Sequence, residues 1–260
     1  STGTPLVRDW ARAASSMAPR RPCHACQWVG LKMTSLAVAD DSLYYPQPQQ
    51  AGDLLGTPHL MEMAFRGVDL TALGQTLIDR AGAHEGDANA LMDLACLMFI
   101  KEQPDLAQAF QSSALALQRR YVLPAVKPER LRLLLLMTPG PLMANMPVDF
   151  LVHGSDIRLE MLYLDAERPL GEQAWPEHDV ACVGVCEGRD SGPLLQALAQ
   201  HIARRPGPVL NDPLRVLAMG RETAWQHLQN IDGCVMPLSR GVSRAELVAL
   251  AHEQTPLSAY

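Results

Sequence analysis

Several signatures are missing from this sequence, and each absence removes a class of function. No stretch approaches the roughly 18 uninterrupted apolar residues of a membrane span; the longest run, Leu94 to Ile100, falls far short. Basic residues are not in excess. The 22 Lys and Arg stand against 28 Asp and Glu, a formal net charge of −6, which argues against a general nucleic-acid or anionic-membrane binder. The dinucleotide fingerprint G-x-G-x-x-G and the phosphate loop G-x-x-x-x-G-K-[ST] are both absent, so a nicotinamide oxidoreductase or a P-loop enzyme is disfavoured. There is no G-x-S-x-G elbow, and no motif sets a serine or cysteine nucleophile beside His178 or His201.

Cysteine usage excludes a disulfide scaffold. Four of the six cysteines, Cys96, Cys182, Cys186 and Cys234, sit inside apolar segments. Free cysteine there behaves as a small core residue, as in a reducing compartment. Cys23 and Cys26 form a lone C-x-x-C with no second ligand pair at zinc spacing. No metal-ligating residue is assigned, and a cytoplasmic location is expected.

What is present is an ordinary globular composition, 48% hydrophobic and 19% charged over 260 residues, enough for roughly one or two domains. Both ends look abrupt. Residues 1–32 hold Arg8, Arg12, Arg20, Arg21 and Lys32 against the single acid Asp9. This segment reads as upstream sequence, with a start at Met17 or Met33, rather than as an Arg-rich targeting leader. Residues 40–58, rich in Pro, Gln and Gly, read as a linker, so 1–56 is set apart as leader and linker. At the other end a helix opening at Ser243 is followed a few residues later by Tyr260. A chain cut at both ends is the preferred reading.

Residues 57–124 read as helical. Thr57-Pro58 opens one helix. Asp69 can cap a second, with Leu70, Leu73, Leu77 and Ile78 on one face. Gly86-Asp87 starts a third, and Pro104 separates it from a fourth, which gives a helical hairpin. Tyr121 to Pro124 ends this helical run. The pattern Gly86-Asp-Ala-x-Ala-Leu-Met-x-Leu-Ala95 resembles the helix pairs of tetratricopeptide-like repeats. It covers too little chain for a solenoid, which generally needs about three repeats. A small helical subdomain docked on its neighbour and a peptide-binding solenoid both stay open.

Residues 130–238 alternate between strand and helix. Leu131 to Thr138 is an almost continuous apolar run, as in a parallel strand covered on both faces. Ile157 to Leu164, Asp179 to Cys186, Pro208 to Asn211 and Cys234 to Pro237 are four further strand candidates. Pro193 to Arg205 and Arg221 to Asn230 are helical, and 142–153 is helix or loop. The expected fold class is therefore α/β, with a helical hairpin region followed by a parallel sheet. Ligands of such sheets bind beyond the carboxyl ends of the strands. That rule selects Thr138-Pro-Gly140, Glu187-Gly188 and Asn211-Asp-Pro213.

The segment Pro208-Val-Leu-Asn211-Asp-Pro213, then Arg221-Glu222, then Gly233-Cys-Val-Met-Pro237-Leu-Ser239-Arg240 resembles a stretch of ATP-grasp ligases. Thr138-Pro-Gly-Pro-Leu-Met-Ala-Asn145-Met-Pro and Pro176-Glu-His-Asp179-Val-Ala look like bacterial members with a tetratricopeptide-like segment in front. The resemblance implies a Rossmann-like pre-ATP-grasp domain over 130–238 and the start of a cut-off ATP-grasp domain over 239–260. It implies an ATP-dependent carboxylate–amine or carboxylate–thiol ligase that proceeds through an acyl phosphate. ATP and Mg²⁺ are expected only for the full-length protein, with none bound by this fragment.

By the same resemblance, Gly140, Asn145 and Asn211 would meet a small-molecule or peptide substrate, although for Asn211 a turn-making role is the preferred reading. No catalytic residue is assigned. Arg221-Glu222 stands where relatives carry an acid–lysine pair, so Arg221 receives no nucleotide role. The rival reading is a non-catalytic helical-repeat adaptor with a protein partner on the helical region. A degenerate sugar- or nucleotide-handling α/β enzyme is a third.

Overall fold

The structure, a computed structural model, describes residues 52–84, 86–165, 170, 174–188, 190–205, 207–239 and 241–252. The C-x-x-C pair and the two candidate starts lie outside them. Four helices come first: α1 (Thr57–Phe65), α2 (Leu70–Ala83), α3 (Ala88–Ile100) and α4 (Pro104–Leu117). Two of their starts carry a side-chain cap, whereas α1 begins after Gly56 without one and the Thr57 hydroxyl meets the Cys96 sulfur instead. Asp69 accepts from the Thr71 N–H and Asp87 from the Ala90 N–H, which satisfies donors that a helix leaves orphaned. Pro104 occupies the first turn of α4, where a missing N–H is harmless.

Five strands follow: β1 (Arg120–Leu123), β2 (Leu131–Met137), β3 (Ile157–Tyr163), β4 (Val180–Val183) and β5 (Val209–Leu210). They form one sheet in the order β1-β3-β2-β4-β5. β3, β2, β4 and β5 run parallel to their neighbours, while β1 lies antiparallel on the β3 edge. Between and after the strands lie α5 (Val148–Val152), α6 (Gly192–Ile202), α7 (Pro213–Leu217), α8 (Arg221–Leu228) and α9 (Arg244–Ala251).

The apolar run of β2 is explained by burial on both faces. Leu133 and Leu135 join the core shared with the helical region, alongside Met92, Ala114 and Tyr121. Leu134 and Leu136 join the opposite core, against Leu194, Leu195 and Leu198 of α6. A third cluster lies within the helical region, around Leu77, Leu94, Leu97 and Phe110. The helical hairpin is therefore docked on one face of the sheet through a shared core. Among the described residues no helix is long and apolar enough to cross a membrane.

Two local expectations need correcting. Tyr121 to Leu123 is not merely the end of the helical run, because it pairs with β3 as the antiparallel edge strand. Cys234 to Pro237 is not a fifth parallel strand. Its backbone has no ladder partner and Val235 is 94% exposed. β5 has only two residues, so it offers too short an edge for another strand to extend.

The segment 53–56, placed in the linker from sequence, packs against the helices. Leu54 is buried, and the N–H groups of Leu55 and Gly56 donate to the Asp93 carboxylate at 2.9 and 3.0 Å. Asp93 is fully buried in α3, and burial pushes its carboxyl up to about 7 against those two backbone donors.

Candidate functional site

The strand order places a topological switch between β2 and β4. The chain leaves β2 for β3 on one side, then crosses back to β4 on the other. Open α/β sheets hold ligands outside the carboxyl ends of strands at such a point. Here those ends are Met137–Gly140, Gly184–Gly188 and Asn211–Asp212.

The crevice above β2 and β4 is spanned by the chain itself. After Pro141 a short 3-10 turn (Leu142–Ala144) leads into a strap. There Asn145 bridges Val185 antiparallel, the Met146 N–H donates to the Gly184 carbonyl at 2.7 Å, and the Cys186 N–H donates to the Ala144 carbonyl at 2.9 Å. Gly184 itself lies tight against β2. A Cβ there would lie 2.7 Å from Leu135 Cδ1 and 3.1 Å from the Leu136 carbonyl oxygen.

Each residue singled out from sequence has a defined place. The buried Asn145 carboxamide pairs with both backbone groups of one residue, accepting from the Thr138 N–H and donating to the Thr138 carbonyl, both at 2.8 Å. It acts as one more rung beyond the end of β2. Gly140 is held in the same manner by a residue that sequence reasoning missed. The Gln111 carboxamide, from α4, accepts from the Gly140 N–H at 2.8 Å and donates to its carbonyl at 3.1 Å. Gly140 has φ +141°, a conformation that L side chains rarely adopt. These two amide clamps fix the Thr138–Gly140 turn between the helical hairpin and the sheet. A buried glutamine inside an apolar helix face was the available signal for Gln111.

Asn211 stands at the end of β5 with φ +61°. Its Nδ2 donates to the Val183 carbonyl at 3.2 Å and meets the sulfurs of Met146 and Cys182 at 3.2 and 3.7 Å. One side chain thus ties β5 to β4 and to the strap. Asp212 then caps α7 by accepting from the Leu214 N–H. Beside this turn lies an open depression of about 570 Å³, lined by Asn211, Asp212, Arg215, Val216 and Met219 along with β5. Arg215 is the one cation among its lining residues. Asn145 and Gly140 do not line it, so the three sequence candidates share the rim but not one pocket.

Comparison with family models, with curated proteins and with solved structures finds no match.

Proposed function

We propose that this chain forms the acceptor-substrate side of an ATP-dependent carboxylate–amine, or carboxylate–thiol, ligase of the ATP-grasp type. In this reading, residues 130–238 are a Rossmann-like pre-ATP-grasp domain. The observation that carries it is the depression at the carboxyl end of β5, where the strained Asn211 turn and the Arg215 guanidinium face open space. An arginine with planar donors suits a carboxylate ligand, and a rigid asparagine turn at its edge can orient one.

The residues present do not fit ATP with Mg²⁺. Among the described residues no three His, Cys, Asp or Glu side chains converge closely enough to hold a metal ion, and the depression brings a single cation to any phosphate. The phosphoryl-transfer step therefore receives no role for residues of this chain. Their part is to bind and orient an acid-bearing acceptor, a small molecule or a short peptide. The adaptor reading has less support, because α3 and α4 place Met92 and Ala114 in the core against the sheet, and that face is not open to a partner peptide.

The test is a thermal-shift screen of the 260-residue chain with amino acids and short peptides, followed by titration of any hit. Stabilisation by a carboxylate-bearing compound, lost in Arg215→Ala with the fold intact, supports the reading. Mg²⁺-dependent ATP hydrolysis by this chain alone, or an unchanged response in Arg215→Ala, defeats it.

A further inference from the structure

A second cavity lies at the opposite end of the sheet from the rim, where the helical region meets the start of β3. It is partly enclosed, with a volume of about 40 Å³. A water needs roughly 10–15 Å³ measured this way, so the space suits about three waters or one ligand of a few heavy atoms.

The lining is chemically one-sided. Four polar side chains face it: Asp53, His59, Asp149 and His153. Among the described residues neither lysine nor arginine lines it, and the remaining wall is largely aliphatic, including Leu54, Leu123, Val152 and Ile157. The five-residue helix α5 supplies Asp149 from its first turn and is followed at once by His153. His59 comes from the first turn of α1. The cavity therefore exists only because α1 and the segment 53–56 are docked beside α5 and β3.

Three observations bear on an occupant. The His153 Nε2 atom is buried and meets no hydrogen-bond partner in the protein, and buried polar atoms of this kind are normally satisfied. Burial, with His153 next, holds the His59 imidazole below its ordinary value, so at neutral pH it is uncharged and can accept a hydrogen bond. Burial also pushes Asp149 up to about 6 against backbone hydrogen bonds at Phe150 and its own N–H, which leaves it ionised above that pH beside the cavity. A metal ion does not suit the arrangement, since no three ligating side chains converge among the described residues. An anion would meet two carboxylates.

We propose that this cavity binds a small primary ammonium ion, a short alkylamine in its charged form, with Asp149 as counter-ion and His153 as hydrogen-bond acceptor. The N–H donors of such an ion match the Asp149 carboxylate and the His153 imidazole, with a further donor left to water or backbone, and its short alkyl group matches the aliphatic wall. Charge-assisted hydrogen bonds of this type are the strong ones. The proposal is independent of the ligase reading, because the cavity shares no lining residue with the depression at Asn211.

Isothermal titration at about pH 8, where burial-shifted carboxylates are ionised, reads this directly. Methylammonium chloride is the probe, with potassium chloride and tetramethylammonium chloride as controls for ionic strength and for a cation without N–H donors. The expected result is saturable one-site binding of methylammonium alone, weakened roughly tenfold or more in Asp149→Asn and in His153→Phe. Absence of saturable binding, an equal response to either control salt, or full affinity in Asp149→Asn overturns the proposal. Since both substitutions alter a docked seam, the unsubstituted protein gives a second reading. The imidazole NMR resonances of His153 shift on methylammonium addition if the ion sits there. Resonances that stay fixed would mean that the cavity holds water only, and the proposal fails.

Discussion

Between Leu54 and Leu198 the chain builds three apolar clusters, with Leu97, Leu134, Leu135, Leu136 and Leu198 wholly buried. From Val209 to Ala251 Pro213 is the one buried side chain among the described residues, and Leu210, Leu214, Met219, Val235, Leu238 and Leu247 are all exposed. The two stretches have similar apolar content to the eye, yet the second contributes only partly buried Val209, Val216 and Leu217 to a core cluster. The difference separates the residues that hold this fold from those on which the proposed ligase reading rests. That stretch, Val209 through Pro237, is loosely packed, so core packing constrains residue choice least there. Its asparagine, prolines and glycine are therefore better read as turn and site chemistry than as core.

The most direct way to break this contrast is a matched pair of truncations. Leu135→Ala removes a wholly buried side chain from the middle of β2 and is expected to cost about 3–4 kcal/mol. Leu247→Ala removes the same atoms from a side chain that is 53% exposed, and should stay within about 0.5 kcal/mol. Chemical denaturation followed by circular dichroism measures both. Equal losses would mean that the stretch after β5 is packed as tightly as the sheet.

A smaller effect should come from Asp93, the buried acid that ties the segment 53–56 to α3. Asp93→Ala leaves two backbone N–H groups without their acceptor and should cost roughly 2–3 kcal/mol. Its pH dependence has a definite sign. The unfolded carboxyl releases its proton near 3.8, whereas the folded one keeps it to about 7. Between those values the folded state holds more protons, so the Asp93 contribution makes stability fall as pH rises from about 4 to about 7. Asp149, raised to about 6, adds a fall of the same sign over a shorter range. Denaturation midpoints taken across this window should flatten in Asp93→Asn, and an unchanged slope would show that Asp93 is not the group responsible.

Much of the fold is legible in the sequence for physical reasons that these variants probe. β2 carries a long apolar run because both its faces are covered, and α2 and α3 announce themselves through Asp69 and Asp87. The elements that escape notice depend on pairing that no local pattern encodes. β1 is four residues long and borrows its register from β3. Cys234–Pro237 has the composition of a strand but no edge to join. At the rim, Asn145 and Asn211 are visible as candidates, but the use of their carboxamides as backbone clamps depends on a strap folded over β4. Gln111, 29 residues before its partner Gly140, could be suspected only as a polar residue on an apolar face.

That strap offers the next test. Gly184→Ala places a methyl group against Leu135 and the Leu136 carbonyl, and overpacking of this kind costs typically about 1–3 kcal/mol. Because Gly184 also receives the Met146 N–H, the substitution should loosen residues 144–146 first. Hydrogen exchange reads this as faster exchange at Met146 and Cys186 than in β3. Uniform acceleration throughout the sheet would show instead that the strap is as integral to the fold as the strands.

The smallest expected effect is the most informative about the rim. Asn211 has a positive φ, which asparagine tolerates better than alanine and glycine adopts freely. If its role is to make the turn, Asn211→Ala should be less stable than Asn211→Gly by about 1 kcal/mol. The Nδ2 bond to the Val183 carbonyl adds a loss that both variants share. A contact with substrate behaves differently, because both substitutions remove the carboxamide and weaken binding to a similar extent whatever they do to stability. Measuring stability and ligand affinity on the same pair therefore separates the two roles. Stability that splits while affinity holds assigns Asn211 to the turn. Affinity that falls alike in both variants makes it a residue of the acceptor site, in the one part of the chain where packing does not already account for its identity.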